Sequence, residues 1–417
     1  MSIGRKIVAI SYAGLFLLAI HSFAIADEYP RIKQNGSVFI APRFEINSRS
    51  DADGNSISDN DGDYNKYRMR FMFGWSYRVL VAVNEELDVY FRLSDPWGEG
   101  GYTIVGSGDG HSAPQEARVA DLVRVTLPNA FFTWKPIGGL GFSGGLVNMA
   151  NSSALEYEAA WVMRDPTANV ANTWGNALAG FELAYAFNPD LQFSITGGLS
   201  DNTYHNIPPF AATDENKTLR SYSDARFIVA GEISLADKKL TLKPTFNIRT
   251  RGGQTDSTVD ANDNPVRTIN SDRSPFVSEG IDASVKFTSQ LSLNANVTAA
   301  HDHRNDTEKY NIIGAGIEPV VTFGGKNGKL ITARVKYAFD LASNSANDAV
   351  STESAFGNHL DVRLSIAAAE RFTITPRYRL WHTNGANWYD RAMSAYPDGD
   401  KRSRSLSRFE LTFAAGF

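Results

Sequence analysis

The stretch Lys66-Tyr67-Arg68-Met69-Arg70-Phe71-Met72-Phe73-Gly74-Trp75-Ser76-Tyr77-Arg78-Val79-Leu80-Val81-Ala82-Val83 alternates along its length. Its even positions Lys66, Arg68, Arg70, Met72, Gly74, Ser76 and Arg78 interleave with Tyr67, Met69, Phe71, Phe73, Trp75, Tyr77, Val79 and Val81. Successive side chains of a strand point to opposite faces, so this segment has one wet face and one greasy face. Strands of a soluble sandwich alternate too, but they usually run about 5 to 6 residues. This pattern runs more than twice as far, and a strand that crosses a membrane needs about 9 to 11 residues.

Working outward, the same signature predicts sixteen strands, at about 37–48, 66–83, 87–95, 122–135, 139–149, 175–187, 191–200, 223–236, 239–251, 276–288, 290–301, 310–323, 329–341, 356–368, 371–382 and 404–417. The segments at 122–135 and 276–288 alternate poorly. The links between segments alternate in length. Short ones sit at Asn84-Glu85-Glu86, Pro136-Ile137-Gly138, Asn188-Pro189-Asp190, Asp237-Lys238, Ser289, Gly324 to Gly328 and Ala369-Glu370. Long polar ones sit at about 49–65, 96–121, 150–174, 201–222, 252–275, 302–309, 342–355 and 383–403. An even strand number with short turns at one rim and long loops at the other is the pattern of a transmembrane antiparallel β-barrel. Four prolines, Pro42, Pro244, Pro319 and Pro376, fall inside segments on the greasy phase, each removing a donor from a sheet without free edges. Local bulging near one rim is the expectation there.

The chain opens on Arg5 and Lys6, an apolar run from Ile7 to Ile20 and the small-residue site Ala24-Ile25-Ala26, the layout of a secretory signal. The predicted organisation is a signal peptide at 1–26 and one barrel at 27–417. No stretch approaches the roughly 20 apolar residues of a spanning helix. The formal charge is -5, and losing Arg5 and Lys6 takes Lys+Arg from 41 to 39 against 46 acids. An acidic chain argues against nucleic acid as a partner. Cysteine is absent, so hydrogen-bonded sheet must hold an exported chain together without disulfides. The mean hydropathy of -0.27 suits a barrel, in which alternate residues meet lipid.

Chemistry-bearing motifs are sparse. Neither G-x-S-x-G nor H-E-x-x-H is present, and His301 and His303 sit at a strand end beside a polar link, so no enzyme is expected. The first long link carries Asp51, Asp53, Asp59, Asp61 and Asp63 beside Gly54 and Gly62, hard oxygen ligands at alternate positions as calcium requires. It departs from the helix-loop-helix calcium motif, with Ser56 at the glycine position and Gly62 at the bidentate Glu position. A solvated acidic loop and a Ca2+ site both remain open, and no other cofactor is expected.

The signal segment, the long-short alternation and the terminal strand Arg408-Phe409-Glu410-Leu411-Thr412-Phe413-Ala414-Ala415-Gly416-Phe417 resemble the Gram-negative outer-membrane porins, whose last residue is usually an aromatic read by the assembly machinery. The resemblance covers the mature chain in pattern and no long identical motif. It implies outer-membrane lipid and lipopolysaccharide as surroundings, and a homotrimer packed through Phe39 to Ile46 and Phe409 to Phe417. It also implies passive diffusion of small hydrophilic solutes or ions, and a third external loop folded into the lumen as a constriction. That loop is the link from Asn151 to Trp174, and Glu156, Glu158 and Asp165 are its candidate lumen acids, with Arg164, Tyr157, Trp161, Val162 and Met163 among them. The family's short acidic motif is not reproduced there.

If Phe71 and Trp75 face lipid, the opposite phase near the closing seam is basic: Arg43, Arg68, Arg70, Arg92, Arg363, Arg371, Arg377, Arg379 and Arg408, against Glu45, Asp88, Asp361 and Glu410. One reading is a pore lining that faces the acidic loop and selects by charge. The other is ordinary solvation, with the four acids neutralising arginines in pairs. The alternatives to a general diffusion channel are a substrate-selective channel for anions or acidic sugars and, from another class, a structural or adhesive surface barrel.

Overall fold

The computed structural model describes residues 29–50, 67–94, 102–108, 115–116, 126–149, 152–155, 177–201, 223–250, 254–259, 265–270, 275–303, 309–324, 330–344, 354–386 and 401–417. The expected signal segment lies outside them. The strands are β1 (Arg31–Ser50), β2 (Tyr67–Ala82), β3 (Leu87–Ser94), β4 (Tyr102–Gly108), β5 (Gln115–Glu116), β6 (Thr126–Ile137), β7 (Leu140–Asn148), β8 (Ala177–Asn188), β9 (Leu191–Asp201), β10 (Ser223–Leu235), β11 (Leu240–Arg249), β12 (Gln254–Val259), β13 (Pro265–Asn270), β14 (Phe276–Lys286), β15 (Leu291–His303), β16 (Lys309–Gly324), β17 (Leu330–Asn344), β18 (Ser354–Ala369), β19 (Phe372–Ala386) and β20 (Lys401–Gly416). A single 3-10 turn stands at Ser153–Leu155.

Sixteen of these strands pair antiparallel with their neighbours in chain order, and β20 pairs back onto β1, so the sheet closes. All sixteen overlap the segments expected from alternation. The first begins earlier than expected, at Arg31. The remaining four strands lie in long links that had read as irregular. β4 continues the wall beside the outer half of β2, pairing Arg68 to Phe73, while β3 covers only Ser76 to Ala82; β5 adds to β4. β12 and β13 form a separate hairpin.

Parity sorts the two faces. On β20 Phe409, Phe413 and Phe417 are exposed on the outside while Leu406 and Glu410 are buried; on β1 Ile40, Phe44 and Ile46 lie outside while Ala41 and Glu45 are buried. The apolar exterior runs nine residues on β20, Phe409 to Phe417, and nine on β15, Leu291 to Ala299, a length that spans a bilayer core. Polar rows close it on the loop side. Asn358, His382, Ser405 and Ser48 stand opposite one another on β18, β19, β20 and β1, and His301, Asn311 and Ser343 do so on β15, β16 and β17. His382 Nδ1 meets Ser405 Oγ at 2.8 Å and His301 Nδ1 meets Asn311 Oδ1 at 2.7 Å. No helix among the described residues is long and apolar enough to cross a membrane.

The prolines do not bulge their strands. At Pro42 the β1–β20 pairing lapses between Ile40↔Phe413 and Arg43↔Glu410, at Pro319 the β16–β17 pairing lapses between Ile317↔Tyr337 and Val320↔Arg334, and both resume in the same register. Pro244 and Pro376 behave alike against β10 and β18. A missing N–H costs a rung on one side of the strand only, so the opposite ladder holds the register. One turn also shifts, from Pro136-Ile137-Gly138 to Gly138-Gly139, where Gly139 takes a φ of 81°.

Candidate pore lining

Closure brings the inward positions of six consecutive strands, β17, β18, β19, β20, β1 and β2, into two stacked rows. One row reads Lys336, Asp361, Arg379, Arg408, Glu45, Arg68; the next reads Arg334, Arg363, Arg377, Glu410, Arg43, Arg70. Arg68 and Arg70 are placed by backbone register alone, their side chains lying outside the described ones. The rows form a belt of nine bases and three acids, two rungs deep.

The acids bind across the belt. Arg43 Nε donates to Glu410 Oε2 at 2.7 Å, Arg408 Nε stands 2.7 Å from Glu45 Oε1, and Arg379 Nη2 lies 3.9 Å from Glu410 Oε1. Arg377 Nε reaches both oxygens of Asp361 at 3.0 Å, and Arg363 Nη2 approaches the same carboxylate at 3.4 Å. Three of the four expected acids thus engage arginines. Asp88 instead pairs with Lys135 near the short-turn rim. The bases still exceed the acids, and Arg379 opposite Arg408, like Arg363 opposite Arg377, sets like charges face to face.

An indole supports the belt from above. Trp381 occupies an inward position where alternation would place a polar residue and is only 4% exposed. His359, its cross-strand partner, stacks on it at 4.9 Å between ring centroids and 15° between planes. Arg408 Cζ lies 4.8 Å and Arg379 Cζ 5.5 Å from the indole centroid, within reach of its negative π face.

Of the other expected positions, Arg92 is inward and buried on β3, opposite Asn129 of β6. Arg371 is not part of the lining. It sits exposed in the turn between β18 and β19 with a φ of 62°, because the parity count fails where the chain reverses. Glu156, Glu158 and Asp165, and likewise Asp51, Asp53, Asp59, Asp61 and Asp63, lie outside the described residues.

The start of the third long link is visible and folds inward. Leu155 is buried against Val147, Met149, Leu178 and Ile228, inward residues of β7, β8 and β10 and the end of β7, with Phe131 of β6 beside them. Asp282 of β14 accepts hydrogen bonds from Ser152 Oγ at 3.1 Å and from the Ser153 N–H at 3.0 Å. Ser152 Oγ also accepts the Ala154 N–H at 3.2 Å, which tightens the turn. In the ring of sixteen, the belt's arc from β17 through β2 faces the arc from β7 to β14; Leu155 sits on β7, β8 and β10, and the 3-10 turn rests on β11, β14 and the adjoining β15. The loop therefore enters along the wall opposite the arginine belt. Its anchor was legible in principle, as apolar residues intruding on the inward phase at Val147, Leu178 and Ile228.

No protein-family model and no curated protein matches the sequence. Among solved structures, the chain is similar to OmpT, expressed in the outer membrane of Vibrio cholerae, with a TM-score of 0.50 at 9% identity over 94% of this chain and 99% of that one. It is equally similar to an anion-selective porin from Comamonas acidovorans, with a TM-score of 0.50 at 10% identity over 93% and 100%. With its apolar exterior, closed ladder and split between short turns and long links, the chain has the closed sixteen-stranded antiparallel fold of an outer-membrane β-barrel.

Proposed function

We propose that the protein is a passive, water-filled channel for small hydrophilic solutes, with a basic wall facing an acidic constriction loop. The observation that carries this reading is the charge excess of the inward belt. Among its described side chains, Arg43, Arg334, Lys336, Arg363, Arg377, Arg379 and Arg408 stand against Glu45, Asp361 and Glu410, with Glu318 of β16 beside Arg334 as a fourth acid. Unbalanced ions cannot be buried dry, so water must reach this face and the barrel must hold a lumen. The third link supports the same reading, since its first residues are fixed inside the barrel on the wall opposite the belt. With Glu156, Glu158 and Asp165 on that link facing the lumen, the two sides set up a transverse field whose net sign favours anions over cations.

A mature chain beginning near Asp27 and a homotrimer go with this reading. The exposed Phe44, Phe409 and Phe413 on β1 and β20 offer the apolar face a neighbouring subunit would cover. Purified protein inserted in a planar bilayer should give stepwise KCl conductance with a reversal potential of anionic sign. Folded protein without conductance would overturn the channel and favour the surface-binding barrel instead. Crosslinks that stop at monomer in mild detergent would remove the trimer.

A further inference from the structure

Two of the belt arginines with described side chains, Arg334 and Arg363, meet their carboxylates only at 3.4 Å. Arg334 and Arg363 stand directly opposite each other on β17 and β18, both on the inward face. Like charges in that position repel. They are also the most accessible of the described belt arginines, with side chains 43% and 25% exposed against 8% to 18% for Arg43, Arg377, Arg379 and Arg408.

Among the described residues each has one carboxylate within reach, and each is second in line for it. Glu318 Oε1 accepts from Asn294 Nδ2 at 3.1 Å, while Arg334 Nη1 stands at 3.4 Å. Both oxygens of Asp361 accept from Arg377 Nε at 3.0 Å, while Arg363 Nη2 stands at 3.4 Å. The Nε–H of Arg363 is buried and has no acceptor among the described residues. Two adjacent guanidinium forks, weakly engaged, mutually repelling and one with an orphan donor, match the chemistry of an anion with several oxygens.

We propose that Arg334 and Arg363 form a saturable binding station for an oxyanion, such as the phosphate, sulfate or carboxylate group of a dissolved solute, held between the two guanidinium planes. A guanidinium matches such groups with two parallel N–H···O bonds, and a dianion relieves the repulsion of both arginines at once. The station faces the lumen, so a dissolved anion reaches it and a lipid headgroup does not. It deepens the channel reading and rests on that reading only for the route by which the anion arrives.

The test is calorimetric titration of inorganic phosphate into folded, detergent-solubilised protein at low ionic strength, beside KCl conductance of the same preparation. Wild-type protein should bind phosphate saturably. R334Q and R363Q should each bind about tenfold more weakly, the loss of one charge-assisted contact, and R334K should fall between, keeping the charge without the fork. R31Q, outside the belt, should bind as wild type. R334Q/R363Q protein should bind more weakly still, and if it does not fold the single variants carry the comparison. Protein that conducts KCl but takes up no phosphate overturns the station and leaves the channel. Protein that binds phosphate but does not conduct keeps the station and overturns the channel. Phosphate binding unchanged in R334Q and R363Q overturns the station whatever the conductance.

Discussion

The ring of Phe417 lies over Gly36, and a Cβ added at Gly36 would fall 2.2 Å from that ring. The two residues also exchange backbone hydrogen bonds, Gly36 N–H to Phe417 O at 2.8 Å and Phe417 N–H to Gly36 O at 3.0 Å, and Tyr77 stacks on the same ring at 6.5 Å. The last residue is thus clasped by the first strand where the sheet closes. Gly36→Leu should lower the yield of folded barrel, read as the heat-modifiable band in gel migration, and removal of Phe417 should do the same. In both cases the barrels that do form should conduct normally. Normal yield from both variants would mean that the clasp plays no part in closure. Phe417 could be read from the sequence as a terminal aromatic after an alternating strand, and its parity correctly carried Arg408 to the inner face. Gly36 could not, because its constraint comes from a ring 381 positions away. Parity also misled at Arg371, which sits in a turn where counting by twos loses its meaning.

At the scale of elements, alternation located all sixteen wall strands because each must keep lipid on one side and water on the other, and that demand is written at every second residue. Accessory strands such as β4 and β12 lie in the long polar links, outside the segments that alternation marks. The anchor of the third link escaped for a different reason. Val147, Leu178 and Ile228 sit on the inward phase of their strands, and only the fold shows them to be apolar seats for Leu155. That seat and Asp282 hold the third link independently, one by burial and one by two hydrogen bonds. Gly280 leaves room for it, as a Cβ there would meet Thr298 at 2.8 Å and Ala154 at 3.4 Å. Leu155→Ala should weaken the anchor by about 2 kcal/mol or more, and Asp282→Ala by about 1.5 to 3 kcal/mol. Released loops open more often, and a change of about 2 kcal/mol raises the open population roughly thirtyfold. Cleavage within 156–174 by an added protease should accelerate accordingly while the barrel stays folded. Unchanged cleavage in both variants would show that the link is held elsewhere.

For the whole molecule, closure creates the charge pattern. Arg334, Arg363 and Arg377 come late in the sequence and Arg43, Arg68 and Arg70 early, and only the β20–β1 ladder makes them one belt. The sequence showed the basic residues and their parity, but their rows depend on pairing register, which is why Arg334 entered the belt only with the structure. In the proposed channel, a belt gathered on one arc would act on permeating ions at a distance, and that action must fade with salt. The screening length falls from about 10 Å at 0.1 M to about 3 Å at 1 M. Zero-current potentials measured across a fixed concentration ratio should therefore show anion preference at low salt that shrinks as both sides are made concentrated. A fixed oxyanion contact at Arg334 and Arg363 is short-ranged and should lose less over the same interval. R334Q/R363Q protein should then keep most of the low-salt preference, supplied by the remaining belt, while losing the residue that persists at high salt. A cation preference at high salt in the wild-type channel would refute the belt as its selectivity determinant, since screening weakens a field without reversing its sign.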